Sequence, residues 1–585
     1  MDLSRIRVFA CILALTITPL AIAVEPTQSD DSLVGLWKAQ RWLGAPIRGK
    51  LLIIERGGAL SADIAGFQLP VRAAGKALSF ELPDGKGSFR GTRSGKEIKG
   101  QWVQGLTASR GARFSTPVTL RPDGPGRWCG EIVPMDDEMS FYLPVTRSAD
   151  GKFATYLRNP ERNVGRFIPV SRIEMNGNAV SLLGTRRGAK EEAVLASGQL
   201  DSELGVIRMP LNGSSFDFER DTSSSSPFYP RGKSAERHAY RPPIALDDGW
   251  PVSTLEKEGI DRAAIERFVQ VLTDLPMDGI SAHQVHSLLI ARHGKLVLEE
   301  YFHGANRDEP HDLRSASKSW TAMLIGAAMQ SGVPIRLDTP VYQTFLGSVP
   351  ADLDPRKKAM TLEHLITMTA GFDCDDSGDR PGDEDVFQQQ NKQPDWYRYM
   401  LDVPMAWNSG EKIVYCSGKA NLAAGMIEMI AGEPMQEMSE RLLARPLHMG
   451  RYHLFLQPTG QVYGGGGHRF TSRDFLKWAQ LMVNDGKWEG RQIFSREWAR
   501  KSGAPLRMLI PQFRQTYGYL WNSRAFDYKG RKVHAFFAGG NGGQISVGIP
   551  ELDLAIVFTG GNYADGVSFT SSNKYIPESI LPAVK

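Results

Sequence analysis

The chain has 585 residues, 41% of them apolar and 23% charged, a composition of globular domains at a length that suits more than one. Its 69 Lys and Arg nearly balance its 65 Asp and Glu, leaving a net charge of +4. With no Lys/Arg block either, nucleic acid is not an expected partner.

Arg5 and Arg7 precede an apolar run from Val8 to Ala23. The run is short and broken by Thr16, Thr18 and Pro19, which argues against a membrane span. It ends in Ala21-Ile22-Ala23, the small-x-small pattern of a signal-peptidase site. Residues 1–23 are therefore expected to be a signal peptide. The mature chain would be exported, periplasmic or secreted, with no stable membrane span; an uncleaved anchor is the alternative. Cys129, Cys374 and Cys416 then remain, an odd number in an oxidising compartment.

Residues 24–220 read as an all-β module. Runs such as "KLLIIE", "ALSFEL" and "ARFSTPVTLRP" are short and strand-like, with Gly, Asp and Pro turns between them. Two halves look alike. Each opens on Gly-x-Trp, at Gly35-Leu36-Trp37 and Gly126-Arg127-Trp128, which suggests two units of roughly 90 residues, as barrels or a double sandwich. No catalytic constellation occurs here, so the expected role is structural or binding, with an unidentified partner. Residues 221–249 are rich in Ser and Pro and read as a linker. Residues 250–585 change texture. Strand-like pieces at both ends ("HSLLIARHGKLVLEEYF", "QISVGIPELDLAIVFTGG") flank a helical middle, which predicts an α+β domain with an antiparallel sheet and a helical subdomain.

The chemistry points to "DLRSASKSWTAMLIGAAMQSG". Residues three apart share a helical face, so Ser315 and Lys318 would lie side by side at the head of an apolar helix. Desolvation there is expected to lower the lysine pKa, giving a neutral amine able to take the serine proton. The same spacing at Ser571 and Lys574 leads into Tyr-Ile-Pro-Glu, and the proline prevents a long helix. Gly-x-Ser-x-Gly and His-Glu-x-x-His, the signatures of two rival hydrolase classes, are absent from the sequence.

Two further stretches follow in order: Tyr415-Cys416-Ser417 before a second buried helix, then "FFAGGNGGQISVGIPELDLAIVFTGG". Together the three resemble the serine β-lactamase and penicillin-binding protein superfamily, and within it the class C-like branch of esterases, D-amino-acid peptidases and 6-aminohexanoate-dimer hydrolases. The resemblance covers residues 250–585 alone. It implies Ser315 as nucleophile, Lys318 as its proton partner and Tyr415 as the group that protonates the leaving group. Backbone N–H groups of Ser315 and Gly540 would form the oxyanion hole. Ser417 stands where relatives often have Asn. Aligning Gly542-Gly543 puts Phe537-Ala538-Gly539 in place of Lys-Thr-Gly, so the cation that grips a substrate carboxylate is missing there. Ser417, Phe537, Gly539 and Asn541 are the implied substrate contacts.

The resemblance also places Cys374 and Cys416 near the cleft and suggests a disulfide between them, leaving Cys129 free. Plainer readings stand beside these: Tyr415 as a core residue, the Gly540 region as a bulge, and His468 as a loop histidine. Asp373, Asp375 and Asp376 read as solvated acids without ligand spacing, so no metal and no cofactor are expected. The expected function is an exported serine hydrolase of small esters or amides. A weak β-lactamase or D-amino-acid peptidase is the alternative within that class, and a non-catalytic exported binding protein the alternative outside it.

Overall fold

The computed structural model describes residues 31–585 apart from positions 46, 110, 212, 234–235, 377 and 390–393. The expected signal peptide, residues 1–23, lies outside the described residues.

Strand β1 (Gly35–Gly44) pairs along its length with Asp137–Arg147 and, through Trp37 and Lys38, with Ser214–Arg220. This closes a barrel of β1 and the strands between Asp137 and Arg220. Alternate side chains, among them Trp37, Phe141, Leu143, Ile173, Phe216 and Phe218, fill it. The strands from Gly49 to Ile132 form a second sheet over Leu51, Ile53, Phe89, Trp102 and Leu120.

The two Gly-x-Trp motifs do not open two successive units. The strand that begins at Gly35 closes the later barrel, and Arg127–Ile132, which carries Trp128, pairs with Gly49–Arg56 in the earlier sheet. Antiparallel partners are selected by register and burial across long sequence distances, which a local motif does not encode. One strand of the second sheet, β2 (Arg113–Pro122), also pairs with β3 (Leu454–Leu456) from the far half of the chain. The expected linker is docked rather than loose: Phe228 and Tyr240 are buried, Tyr240 Oη donates to the Val297 carbonyl at 2.8 Å, and Arg231 pairs with Glu300.

Beyond residue 250 lies an antiparallel sheet of eight strands. Val285–Arg292 joins Lys295–Tyr301 on one side and Leu554–Gly560 on the other, with Leu288 opposite Phe558. The early and late strands therefore close one sheet around the helical middle, as the sequence suggested. Period-two alternation buries both faces. Leu288, Ile290, Ile556 and Phe558 pack with Phe268 and Leu272 of α1 (Arg262–Thr273), which starts on an Asp261 cap to Ala264 N. Leu289, Ala291, Ala555 and Val557 face the cluster built by α2 (Ser317–Gln330), α3 (Ser417–Ala431) and α4 (Ser472–Val483). Every residue of α2 from Ser317 to Ala328 is buried, so this helix is an internal pillar and its head is a fixed point. Among the described residues no helix is long and apolar enough to cross a membrane.

Candidate active site

The chain enters α2 through a tight turn, Arg314–Ala316, with Arg314 in the left-handed region at φ 50°. Leu313 N donates to the His468 carbonyl at 3.0 Å and Gly467 N to the Arg314 carbonyl at 3.1 Å, which hold the turn. Ser315 sits in this turn. One helical turn on, Lys318 Nζ donates to Ser315 Oγ at 3.0 Å and to the Gly465 carbonyl at 2.6 Å. Its amine also lies 4.9 Å from the centre of the Tyr415 ring. The glycine run at 464–467 makes this approach possible. A Cβ on Gly464 would come within 2.5 Å of the Ala424 Cβ, and one on Gly466 within 3.2 Å of the Arg314 carbonyl.

Lys318 is buried, yet its pKa moves the other way from expectation. Burial lowers it, but the oxygens of Tyr415, Glu384 and Asp376 outweigh burial and hold it above the ordinary lysine value. The resting amine is therefore an ammonium. The sequence reading counted the desolvation and missed the acids, which come from a loop folded across the site.

That loop also changes the role of Ser417. Its backbone N–H and its hydroxyl both donate to Asp376 Oδ2, at 2.7 and 2.6 Å, so the hydroxyl proton is already engaged. Burial, with Glu384 nearby, pushes the Asp376 carboxyl up to about 6, against the pull of Lys318 and the two Ser417 bonds. The acidic run is thus not simply solvated: Asp376 belongs to the site and Asp373 pairs with Arg380 at 2.6 Å. Glu384, which accepts from Tyr463 Oη at 2.6 Å, is a second site residue, with no motif around it to mark it in the sequence. Cys374 and Cys416 are joined as a disulfide with Cα atoms 5.9 Å apart, and Cys129 is free. Asp376 lies within 4.8 Å of both sulfurs, but bonded sulfurs are not thiolate ligands.

The third stretch is strand β4 (Arg531–Gly540). A Cβ on Gly540 would stand 2.2 Å from the Leu313 carbonyl and 3.0 Å from Ala316 N, so this glycine lets the strand end touch the Ser315 turn. Gly539 is half-buried beside it, and the Asn541 side chain accepts from Ala564 N at 2.9 Å. Phe537 departs from the expected contact. Phe536 and Ala538 face the cluster around α2, so alternation turns Phe537 into the opposite cluster, with Val297 and Ile545. His468 is no loose loop residue: it is fully buried, and its Nδ1 bonds Phe455 N at 3.2 Å. At the decoy spacing Ser571 is buried while Lys574 is exposed, so the two do not form a pair.

A serine and lysine on one face at the head of a buried helix, beside the end of an antiparallel sheet, is the arrangement of the serine β-lactamase and penicillin-binding protein superfamily. Residues 277–564 match the family model Beta-lactamase, in line with the resemblance of residues 250–585. A 6-aminohexanoate-dimer hydrolase of Paenarthrobacter ureafaciens is 24% identical over 220 residues, 36% of this chain and 55% of that protein. The chain thus spans about half the length of that curated relative. Among solved structures, EstCE1, a hydrolase with promiscuous acyltransferase activity, shares 16% identity at a TM-score of 0.44, covering 55% of this chain and 98% of its own. A β-lactamase from Mycobacterium bovis shares 15% at 0.39, covering 54% and 100%.

Proposed function

We propose that the protein is an exported serine hydrolase that cleaves small esters or amides through an acyl-enzyme on Ser315. The observation that carries this is the 3.0 Å bond from Lys318 Nζ to Ser315 Oγ, with Tyr415 against the same amine. Lys318 and Tyr415 lie against one another beside Ser315 Oγ, so they act as one proton relay. When the pair has lost a proton, it takes the one on Ser315 as Oγ attacks the carbonyl carbon. The negative oxygen that forms is met by backbone N–H groups of the Ser315 turn and the adjoining end of β4. The pair then delivers the proton to the departing alkoxide or amine. A water enters, gives a proton to the pair and its oxygen to the acyl carbon, and Ser315 recovers its proton as the acid leaves. No step needs a cofactor.

Export is supported by the leader-like residues 1–23 and by a disulfide, a bond that persists in oxidising compartments. The substrate preference rests on β4, whose residues facing the α2 side, Phe536 and Ala538, offer no charge to a substrate carboxylate. A hydrolysis screen of p-nitrophenyl esters, short linear amides, D-amino-acid amides and nitrocefin tests the reading. Esters or linear amides should be turned over best. Turnover of nitrocefin far above the others would favour a β-lactamase instead.

A further inference from the structure

Residues 158–166 of the N-terminal module lie against two segments of the hydrolase domain. Arg158, fully buried, donates to the Ile280 carbonyl at 2.7 Å and to the Ala282 carbonyl at 3.4 Å. Asn163, also fully buried, donates from Nδ2 to the Tyr563 carbonyl at 2.8 Å. Asn562 ties the two segments together. Its side chain donates to the Ala282 carbonyl at 2.9 Å and accepts from Gln284 N at 2.7 Å.

The Tyr563 segment touches both walls around the nucleophile. On one side, Asn562 N donates to the Gly542 carbonyl at 3.2 Å and Ala564 N to Asn541 Oδ1 at 2.9 Å, which fixes the chain just beyond Gly540. A Cβ on Gly542 would stand 2.6 Å from the Tyr563 ring. On the other side, the Tyr563 ring centre lies 4.6 Å from the Arg314 guanidinium, and the tyrosine side chain also hydrogen-bonds that group. Arg314 holds a left-handed backbone at φ 50°, a conformation that persists only where surrounding contacts enforce it. Ser315 is the next residue. One bond from the N-terminal module therefore bears on the segment that sets both the serine turn and the strand end beside it. The residue type fits this task. Asn163 has φ 52°, and asparagine is one of the few residues with a side chain that takes this conformation readily while offering an amide donor.

We propose that Asn163 is a positioning residue: through the Tyr563 carbonyl, the N-terminal module fixes the Ser315 turn against the end of β4. The module is then a working part of the hydrolase rather than a separate binding domain. This rests on the serine-hydrolase reading above. Asn163 is buried and acts only through Tyr563, so its loss should slow the chemical step and leave substrate affinity alone.

The test measures kcat and KM for p-nitrophenyl butyrate and the rate constant of fluorophosphonate labelling in the full chain, with urea midpoints to score folding. Asn163→Gly removes the amide donor, and glycine accepts the left-handed backbone without strain. It should lower kcat and the labelling rate by about tenfold, with KM unchanged within about twofold. Thr116→Val breaks a different bond across the same seam, Oγ1 to His453 Nδ1 at 2.8 Å, and should leave all three constants near wild type. Should Asn163→Gly not fold, Tyr563→Leu decides. It keeps the carbonyl that Asn163 holds but strips the ring and hydroxyl from Arg314, and the same loss in kcat and labelling is expected. Unchanged constants in the folded variant, or an equal loss in Thr116→Val, overturn the positioning role alone. A wild type that neither turns over p-nitrophenyl esters nor takes the label sinks the hydrolase reading and the positioning role with it.

Discussion

Burial would lower the Lys318 pKa, but Tyr415, Glu384 and Asp376 outweigh it and keep the amine charged, and under the proposed mechanism that balance sets the pH at which turnover begins. If the relay must lose a proton before Ser315 can attack, kcat/KM should rise toward alkaline pH. Asp376→Asn deletes one anion and so should lower the Lys318 pKa, moving the rising limb to lower pH. A pH profile of kcat/KM for the variant checks this; a limb that stays put or moves up would show that Asp376 does not tune the lysine. The Ser315–Lys318 pair was legible in the sequence because a spacing of three fixes a shared helical face whatever the rest of the fold does. The sign of the lysine shift was not legible. Asp376 and Glu384 reach the amine only through tertiary structure, and Asp376 sits in an acidic run that looks like any solvated surface stretch.

At the scale of elements, the disulfide joins the loop that carries Asp376 to the start of α3, the helix that follows Tyr415. Cys374 and Cys416 are 42 residues apart in sequence, and closing a loop of that size stabilises by about 4 kcal/mol in the chain-entropy model. Reduction, or a Cys374→Ser/Cys416→Ser double variant, should lower the unfolding free energy by up to about that amount and reduce turnover, since the Asp376–Ser417 contact loses its clamp. Denaturant titration with and without reductant measures it. Alkylation of both cysteines in the native protein without reductant would contradict the bond. Element type and order in the catalytic domain were readable from hydrophobic periodicity and turn residues. Side-chain direction along β4 was not: placing Phe537 at the substrate followed motif alignment, whereas the pleat turns it to the opposite face. The Gly-x-Trp repeat misled for a similar reason, because strand partners are set by register over long range.

For the molecule as a whole, the N-terminal module is built into the catalytic domain. The β2–β3 pairing continues its sheet into the hydrolase half, and Thr116 Oγ1 meets His453 Nδ1 at 2.8 Å across the same seam. Buried histidines lie along or behind this junction. Burial holds His283 and His311 down to about 4 and His303 to about 3, while His286, bonded to His311 at 2.9 Å, lies well below its ordinary value. Such a histidine stays neutral in the folded chain while the unfolded chain takes up a proton below about pH 6.5. Stability from these groups is therefore present above that pH and lost as pH falls toward the folded values, by up to about 1.4 kcal/mol per pH unit for each histidine. Urea midpoints should fall steeply between about pH 7 and about pH 5, with both modules unfolding together. A midpoint flat across that range, or two separate transitions, would contradict an integrated, histidine-dependent seam. None of this junction was visible in the sequence, where Thr116 and His286 read as parts of separate strand-like runs.

The central claim is that Ser315 is the nucleophile, and covalent labelling tests it most directly. A fluorophosphonate probe should modify the wild-type protein once, on the peptide that contains Ser315. Ser315→Ala should fold normally but take up no label and lose turnover. A label found elsewhere, at Ser571 for example, or full activity in Ser315→Ala, would contradict the account.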